Sequence, residues 1–553
     1  MPDILNTQQL AILKNSDNTA ETEKSLRQFS LYRLKHVSII KEYHELLLFL
    51  RAFPPNKPIY QLAISELTRI AGKIRNANAA TKHSMMASGI ANSELLCSYS
   101  SEITKWLAGK FPGDIALEGS DAENDTVIAV LQTLSPSIEF EKITQGNLSL
   151  LSRLKKITGL QNSRELLKWL LLLFNDSSLP ACIKEELYQQ LKIFVRWKLN
   201  DELFNRSFLC LPVQKTYFQK KIIRQVNAVA IINKHLDKPL QLSAAAKINL
   251  LDTMKASLAF MYRETDPVTY ADEDELKLFD IGRGMQIALV GMKKEKRLAL
   301  ESYVGFMAFK NGIPVSYGGG WLWGHQCRIG INIYPAFRRG ESAWLFCQVM
   351  RVYHQYLRAG HFIVKPYQYG HKNPEGLKSG AFWFYYKLGF RPVKDTIRKE
   401  AAAEWEKIKE LNNYRTPMKL MKHFTTCNIE WVAKKDGLQI ITASVVSSAI
   451  SKMINEAYKS SRSEAISSCT DKMRIHLPAF SSQQKKSNNS EVSNNWSLLN
   501  GLLNDLDKWK PKEKNDFIKL IRLKQQGSER DYIISLQKNI HLWKALEKAI
   551  AAN

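Results

Sequence analysis

Apolar residues recur at helical spacing through the first half of the chain, up to about residue 260. The clearest stretches are residues 43–50 and 183–195, and few runs in this half alternate apolar with polar residues. Apolar positions three and four residues apart are typical of amphipathic helices. The pattern predicts a helical N-terminal region over residues 1–262, and it leaves open whether the acidic segment 118–126 divides this region into two subdomains.

The pattern changes to short strand-like runs after Pro267. Runs at 276–281 and 285–290 flank Gly282-Arg-Gly284, which lacks the third glycine of a dinucleotide fingerprint and is therefore interpreted as a turn or bulge. Asn311-Gly312 separates two further runs. This dipeptide is the strongest short-range signal for a hairpin, because both residues tolerate positive φ.

Strand and helix patterns alternate beyond the hairpin. They predict a strand at 327–334, a helix at 341–358, a strand at 362–367, a helix at 374–388 and a strand at 390–393. An antiparallel hairpin followed by β-α-β-α-β predicts an α/β domain with a mixed sheet over residues 263–400.

Helical periodicity returns after this domain. We expect a helical extension at 401–475, a polar flexible linker at 476–497 and a C-terminal helical module at 498–553. The predicted fold class is therefore a mixed-sheet α/β domain flanked by all-α regions.

The net charge of +26 changes the expected partners. A positive field of this size attracts nucleic acid, anionic cofactors or acidic membrane surfaces. The surplus is spread in short clusters such as Lys220-Lys221, 293–297 and Lys485-Lys486, and such clusters are usually solvated faces. Nucleic acid stays open as a partner.

Several classes are not indicated by the sequence. No apolar run approaches the roughly 20 residues that span a bilayer, and the N-terminus has no secretory signal, so we expect a cytoplasmic protein without a membrane span. The seven cysteines include no Cys-x-x-Cys pair, and the histidines show no metal-ligand spacing. We expect reduced thiols and no metal.

Two segments resemble the paired signatures of the GNAT superfamily of acyl-CoA-dependent N-acyltransferases. The first is Ile331-Asn-Ile-Tyr-Pro-Ala-Phe-Arg-Arg-Gly-Glu-Ser-Ala, and the second is Phe384-Tyr-Tyr-Lys-Leu-Gly-Phe. The resemblance covers roughly residues 300–393. It implies a GNAT-like mixed sheet, with the CoA pyrophosphate held by backbone amides of a loop at a helix start, where the partial positive charge favours phosphate.

The resemblance also implies the residues that contact acetyl-CoA or another acyl-CoA as co-substrate. They are Ile331, Ile333, Arg338, Arg339, Gly340, Ser342 and Ala343. Arg338 and Ala343 match the outer positions of the family's loop motif. Glu341 stands where the family prefers glycine, and Gly340 lies one residue early, so either the loop is reshaped by one residue or phosphate binding is impaired.

The implied reaction is direct transfer of an acyl group, most simply acetyl, from the thioester to an amine. Tyr385 aligns with the tyrosine that in many family members acts as general acid beside the CoA sulfur. His325 is the first candidate for the base, because imidazole titrates near neutral pH. Glu341, Glu301 and His371 are weaker candidates. The sequence specifies neither the acceptor amine nor an oligomeric state.

The alternative is a catalytically inactive GNAT-like domain in a basic protein that binds nucleic acid or another protein. A cluster of aromatic residues surrounds the signatures, together with Gly318-Gly-Gly320. This cluster is either core packing or the wall of an apolar pocket for the acceptor or for a long acyl chain.

Overall fold

A computed structural model describes residues 5–15, 18–338, 340–433, 441–478, 480, 490–503 and 505–551. Within these ranges no helix combines the length and the apolar character that crossing a membrane requires. The chain is of mixed α/β class, and its largest sheet contains both parallel and antiparallel strands.

The N-terminal helices pack around the apolar helix α3. In chain order they are α1 Thr7–Asn15, α2 Thr19–Phe29, α3 Val37–Ala52, α4 Lys57–Arg75 and α5 Ala79–Met85. Asn56 starts α4, because its side chain accepts a hydrogen bond from the N–H of Ile59 and Pro58 follows it in the first turn. The buried leucines of α3 join the same core as the large sheet.

A small α/β unit with its own core follows. Its elements are β1 Glu94–Cys97, α6 Ser101–Lys110, β2 Ile115–Ser120, α7 Asn124–Leu134, α8 Phe140–Thr144, α9 Leu150–Thr158, α10 Ser163–Asp176, α11 Ala181–Gln190 and β3 Ile193–Lys198. Both β1 and β2 pair antiparallel with β3. An all-helical reading of the N-terminal region is therefore wrong here.

Strands occupy residues 94–97, 115–120 and 193–198 of this region, and the last of them begins within the run 183–195, whose spacing is typical of a helix. The helix ends at Gln190, and β3 begins three residues later with alternating buried and half-buried side chains. Leucines and isoleucines continue across this boundary at spacings that fit both periods, so the change of period is hidden in the sequence.

The large sheet begins after three more helices, α12 Ala228–Asn233, α13 Ala244–Ala259 and α14 Asp266–Thr269. Its first strands are β4 Lys277–Gly282, β5 Met285–Val290, β6 Ser302–Lys310, β7 Ile313–Trp323 and β8 Gln326–Ile333. All neighbours among them are antiparallel. Lys310 pairs with Ile313 across Asn311-Gly312, and both turn residues have positive φ, so the predicted hairpin is confirmed.

The remaining strands complete the sheet on its other side. The elements are α15 Ser342–Leu357, β9 His361–Val364, α16 Pro374–Lys378, α17 Ala381–Lys387, β10 Arg391–Pro392, α18 Asp395–Glu410, α19 Met418–Phe424 and β11 Ile429–Val432. The strand order is β10-β11-β9-β8-β7-β6-β5-β4, with β8 and β9 parallel. β11 lies within the region predicted as a helical extension, and it inserts between β9 and β10.

The C-terminal helices cover one end of this sheet. They are α20 Ala443–Ala457, α21 Arg462–His476, α22 Ser490–Leu503, α23 Pro511–Gln526, α24 Glu529–Lys538 and α25 Ile540–Ala551. Of the predicted linker, residues 479 and 481–489 lie outside the described residues. Residues 490–497 belong to α22, where Val492 and Trp496 are buried.

Candidate functional site

The parallel strands β8 and β9 diverge after three residue pairs. Gln326, Cys327 and Arg328 pair with β9, whereas Ile329–Ile333 pair with β7 on one side only. Within the described residues no strand covers the other edge of this second half of β8. The second half of β8 therefore has an unpaired edge that faces the segment after β9, and we call this edge the opening.

Backbone groups of β8 point into this opening. The N–H of Tyr334 donates to the carbonyl of Val315 across the β7–β8 pair. Successive residues of a strand direct their backbone groups to opposite sides, so the N–H and C=O groups of Ile329, Ile331 and Ile333 face the open edge. Both strand residues predicted to contact the co-substrate, Ile331 and Ile333, therefore present hydrogen-bonding groups there.

The open edge ends at the N-terminus of α15. A 3-10 turn, Pro335–Phe337, leads into the β8–α15 loop at 338–341, and Ser342 is the first helical residue. The first N–H groups of a helix have no carbonyl partner within it, and they carry partial positive charge. Ser342 and Ala343 thus lie at a helix start that favours an anion, as the sequence predicted.

The side chain of Arg338 lies between the end of β8 and α16. Its Nε donates to the carbonyl of Ile333 at 3.4 Å, and Nη1 donates to the carboxylate of Glu375 on α16. About half of the Arg338 side chain is exposed. The predicted contact residue Arg339 lies outside the described residues.

Glu341, which replaces the glycine of the family motif, points away from the opening. Its Oε1 accepts hydrogen bonds from the N–H of Ile223 at 3.0 Å and from Nη2 of Arg283 at 2.9 Å. The ammonium of Lys310 lies 3.7 Å from Oε2. Burial lowers the pKa of Lys310 to about 8, against the opposing effect of Glu341. These ion pairs leave Glu341 unsuited to act as a base.

Tyr385 lies on α17 beside α15. Its ring packs edge-on against Phe346 at 5.5 Å and against Phe390 at 5.7 Å between ring centroids. Burial raises the pKa of Tyr385, so its hydroxyl is protonated at neutral pH and is a weaker acid than that of a free tyrosine.

The structure separates the candidate bases. His325 is exposed in the β7–β8 turn, four residues before Ile329 and so about 13 Å along the strand from the opening. Glu301 accepts a hydrogen bond from Arg328, the last residue of β8 that pairs with β9. His371 is exposed after the 3-10 turn Pro366–Tyr369. Glu301 directly precedes Ser302, which pairs with Leu322 of β7, so it lies towards the end of the sheet that carries His325, and like Glu341 it is held in an ion pair.

Most of the aromatic cluster is core packing. A Cβ added at Gly318 would lie 2.7 Å from the ring of Phe306, and one at Gly319 would lie 2.6 Å from the ring of Tyr303. At Gly320 the contact would be with Tyr353 at 2.6 Å. Side chains of β6 and α15 already occupy the space beside these three glycines, so the glycines do not line a pocket for a long acyl chain.

Two residues at the opening were missed by sequence reasoning. The amide of Gln368 lies over Gly330 of β8, 3.0 Å from the position of an added Cβ. Glu375 holds Arg338. Glu375 follows the predicted helix start Asn373-Pro374, which places it at a helix N-terminus, whereas no local pattern marks Gln368.

Gly340 allows α3 to approach the loop. An added Cβ would lie 2.7 Å from the ring of Phe53 and 3.1 Å from the carbonyl of Phe337.

We expect Gly340→Ala to lower the free energy of unfolding by about 1–3 kcal/mol through overpacking. Urea denaturation measures this. Gly109→Ala is the control, because nothing lies within 4 Å of that position in α6, and alanine there should stabilise slightly.

Comparison of the chain with protein-family models, with curated proteins and with solved structures finds no match.

Proposed function

We propose that the chain is an acyl-CoA-dependent N-acyltransferase of GNAT type, with strands β4 to β11 as its catalytic unit. The observation that supports this most directly is the opening between β8 and β9, which ends at the N-terminus of α15. The opening offers backbone groups for an extended amide-containing ligand and a positive helix end for a pyrophosphate. CoA combines these two features.

The order of elements supports the same function. Antiparallel hairpins are followed by β8, α15, β9, two short helices and β10, which is close to the order that the hydrophobic pattern predicts. Tyr385, Leu388, Gly389 and Phe390 of the second signature lie at the end of α17. Tyr385 contacts Phe346, so the second signature packs against the helix that follows the first.

In the proposed reaction the amine nitrogen of the acceptor attacks the thioester carbonyl carbon. A C–N bond forms and the C–S bond breaks, while the backbone N–H groups of β8 at the open edge stabilise the developing oxyanion. The departing sulfur takes a proton from the hydroxyl of Tyr385. The proton lost by the amine passes to solvent water, directly or through one of the candidate bases His325, Glu301 and His371.

The competing function is a binding domain without acyl transfer. It is favoured by the charges at the site, because Glu341 neutralises Arg283 and Glu375 neutralises Arg338. Such pairs reduce the positive potential available to a phosphate. These ion pairs do not exclude phosphate binding, because the Arg338–Glu375 pair is exposed and a phosphate can compete with Glu375 for the arginine.

Calorimetric titration of the full chain with CoA, acetyl-CoA and a long-chain acyl-CoA tests the proposal. Saturable binding of one equivalent is expected, and the order of affinities identifies the acyl group. Absence of binding to all three compounds would reject the acyltransferase and leave the binding domain.

We expect Arg338→Glu combined with Arg339→Glu to weaken CoA binding at least tenfold without unfolding the protein. The change places negative charge where the pyrophosphate is expected, at the exposed Arg338 and its neighbour in the chain, just before a helix start. Calorimetry with CoA measures the affinity, and circular dichroism checks the fold.

Lys293→Glu combined with Lys294→Glu is the matched control. It makes the same change of net charge at two exposed lysines outside the opening. Equal affinities of the loop variant and this control would reject the assignment of the pyrophosphate to the β8–α15 loop.

A further inference from the structure

A cleft of about 840 Å³ lies on the side of the β8–α15 loop that faces away from α16. Its walls come from α2, α3, the β4–β5 turn and the segment 199–227, which connects β3 to α12 without helix or strand. Its described lining residues are Thr19, Thr22, Phe49, Leu50, Phe53, Pro55, Gln219, Lys220, Lys221, Ile222, Ile223, Arg224, Gln225 and Arg283. We call it the basic cleft.

The charges that line the basic cleft have one sign. Lys220, Lys221, Arg224 and Arg283 contribute four cationic groups, and none of its described lining residues is acidic. The first three are exposed. Arg283 is paired with Glu341 behind it, whereas Lys220 and Lys221 are adjacent exposed cations on this concave surface, and an anion with several charges relieves the repulsion between them.

Arg283 is fixed at the edge of the cleft from behind. Its Nη2 donates to Glu341 at 2.9 Å, and its guanidinium lies 5.3 Å from the ring centroid of Tyr217. The Nε of Arg283 is buried and has no hydrogen-bond partner among the described residues. A rigidly held guanidinium with an unused donor is suited to phosphate oxygens.

Gln219 provides a second unused donor. Only 4% of the residue is exposed, and its Oε1 accepts a hydrogen bond from the ammonium of Lys310 at 2.7 Å. This bond fixes the orientation of the amide, because an ammonium needs an acceptor. Its Nε2 has no partner within the described part of the chain. A buried donor without an acceptor costs about 1–3 kcal/mol, and a bound acceptor relieves this cost.

An aromatic pair forms another part of the lining. The rings of Phe49 and Phe53 are stacked, with centroids 5.1 Å apart and planes inclined by 22°. Both residues line the basic cleft. An aromatic surface beside clustered cations is suited to a ligand that has a planar ring attached to phosphates.

We propose that the basic cleft binds a ligand with a phosphoanhydride chain, with its phosphates at Lys220, Lys221, Arg224 and Arg283. A free nucleotide and inorganic polyphosphate share this chemistry. The site is separate from the proposed CoA site, because Glu341 directs its carboxylate and the bound Arg283 away from the opening, whereas Arg338 reaches towards α16. The inference goes beyond acyl transfer and does not depend on it.

Calorimetric titrations of the full chain with ATP and with inorganic tripolyphosphate at low ionic strength test the site. We expect saturable binding of at least one of them. Tighter binding of ATP assigns a nucleotide and a contact with Phe49 and Phe53, whereas equal affinities assign the inorganic chain. If neither compound binds saturably, the proposal is wrong. The proposal is also wrong if a short RNA, titrated in the same way, binds while both of these compounds do not.

Variants locate the binding. Lys220→Glu combined with Lys221→Glu should weaken polyphosphate binding at least tenfold and leave CoA binding unchanged, while the control Lys293→Glu with Lys294→Glu keeps both. Arg338→Glu should weaken CoA binding only. Equal loss in the control would show non-specific attraction and reject the site. Loss of CoA binding together with polyphosphate binding in the Lys220 and Lys221 variant would show one shared site and overturn the inference.

Discussion

Replacing Lys524 by methionine is expected to lower the free energy of unfolding by about 3–5 kcal/mol. The ammonium of Lys524 is fully buried where the C-terminal helices meet the large sheet. It donates to both carboxylate oxygens of Glu529 at 3.1 Å and to the carbonyl of Glu301 at 2.8 Å. Burial lowers the pKa of Lys524, and Glu529 opposes this effect.

The loss is large because the neighbouring charges balance. Arg297 lies 3.1 Å from Glu275, 3.5 Å from Glu529 and 3.9 Å from Asp272, so two buried cations face two buried carboxylates and a third that is partly exposed. Removing Lys524 leaves one buried negative charge in excess, and an unpaired buried charge is strongly unfavourable. Urea denaturation of the purified variant measures the change.

Lys409→Met is the control for this variant. Lys409 forms a pair with Glu406 in which both side chains are about half exposed, so its loss should cost less than about 1 kcal/mol. Combining Lys524→Met with Glu529→Met should recover part of the stability, because the excess charge is removed. A Lys524→Met protein as stable as the control would show that the buried cluster does not stabilise the C-terminal helices.

Tyr385→Phe is expected to lower acyl transfer about 100-fold while leaving the affinity for CoA unchanged. The substitution removes only the hydroxyl, and the ring keeps its contacts with Phe346 and Phe390. The hydroxyl of Tyr385 is protonated at neutral pH, as a donor to the departing sulfur must be, although burial raises its pKa and makes it a weaker acid. Steady-state rates with a small amine, compared with calorimetric affinity for CoA, separate the two effects.

Tyr386→Phe is the matched control. Tyr386 is the next residue of α17, and its ring packs against Trp405 and the guanidinium of Arg391. Its substitution should leave turnover within about twofold, because the ring keeps its packing contacts and the Tyr386 hydroxyl has no proposed role in proton transfer. If Tyr385→Phe turns over as fast as Tyr386→Phe, then Tyr385 serves packing alone.

The elements that the sequence predicted well depend on neighbours along the chain. Asn311-Gly312 forms its hairpin because both residues accept positive φ, and α15 runs from Ser342 to Leu357 as its periodicity indicated. The helix predicted at 374–388 is divided in two, since Gly380 adopts a left-handed conformation with φ of 69°. That glycine was a local signal that the periodicity masked.

The candidate site could be predicted only in part. The residues proposed to contact the co-substrate follow from the first signature, and Ile331, Ile333, Ser342 and Ala343 lie at the opening or at its helix end. His325 does not, because a position in a loop between strands does not specify which end of the sheet it occupies. Arg328 holds Glu301 in an ion pair across the sheet, a contact that no local pattern indicates.

The sequence by itself determined the mixed α/β order of the central domain, the hairpin and the loop before α15, because periodicity, turn residues and motif spacing act over a few residues. Only the tertiary structure decided that Glu341 is buried among other segments and that the basic cleft lies next to it. The partners of Glu341, which are Ile223, Arg283 and Lys310, come from three segments distant in the chain. Such contacts depend on how the segments pack, and local patterns do not encode them.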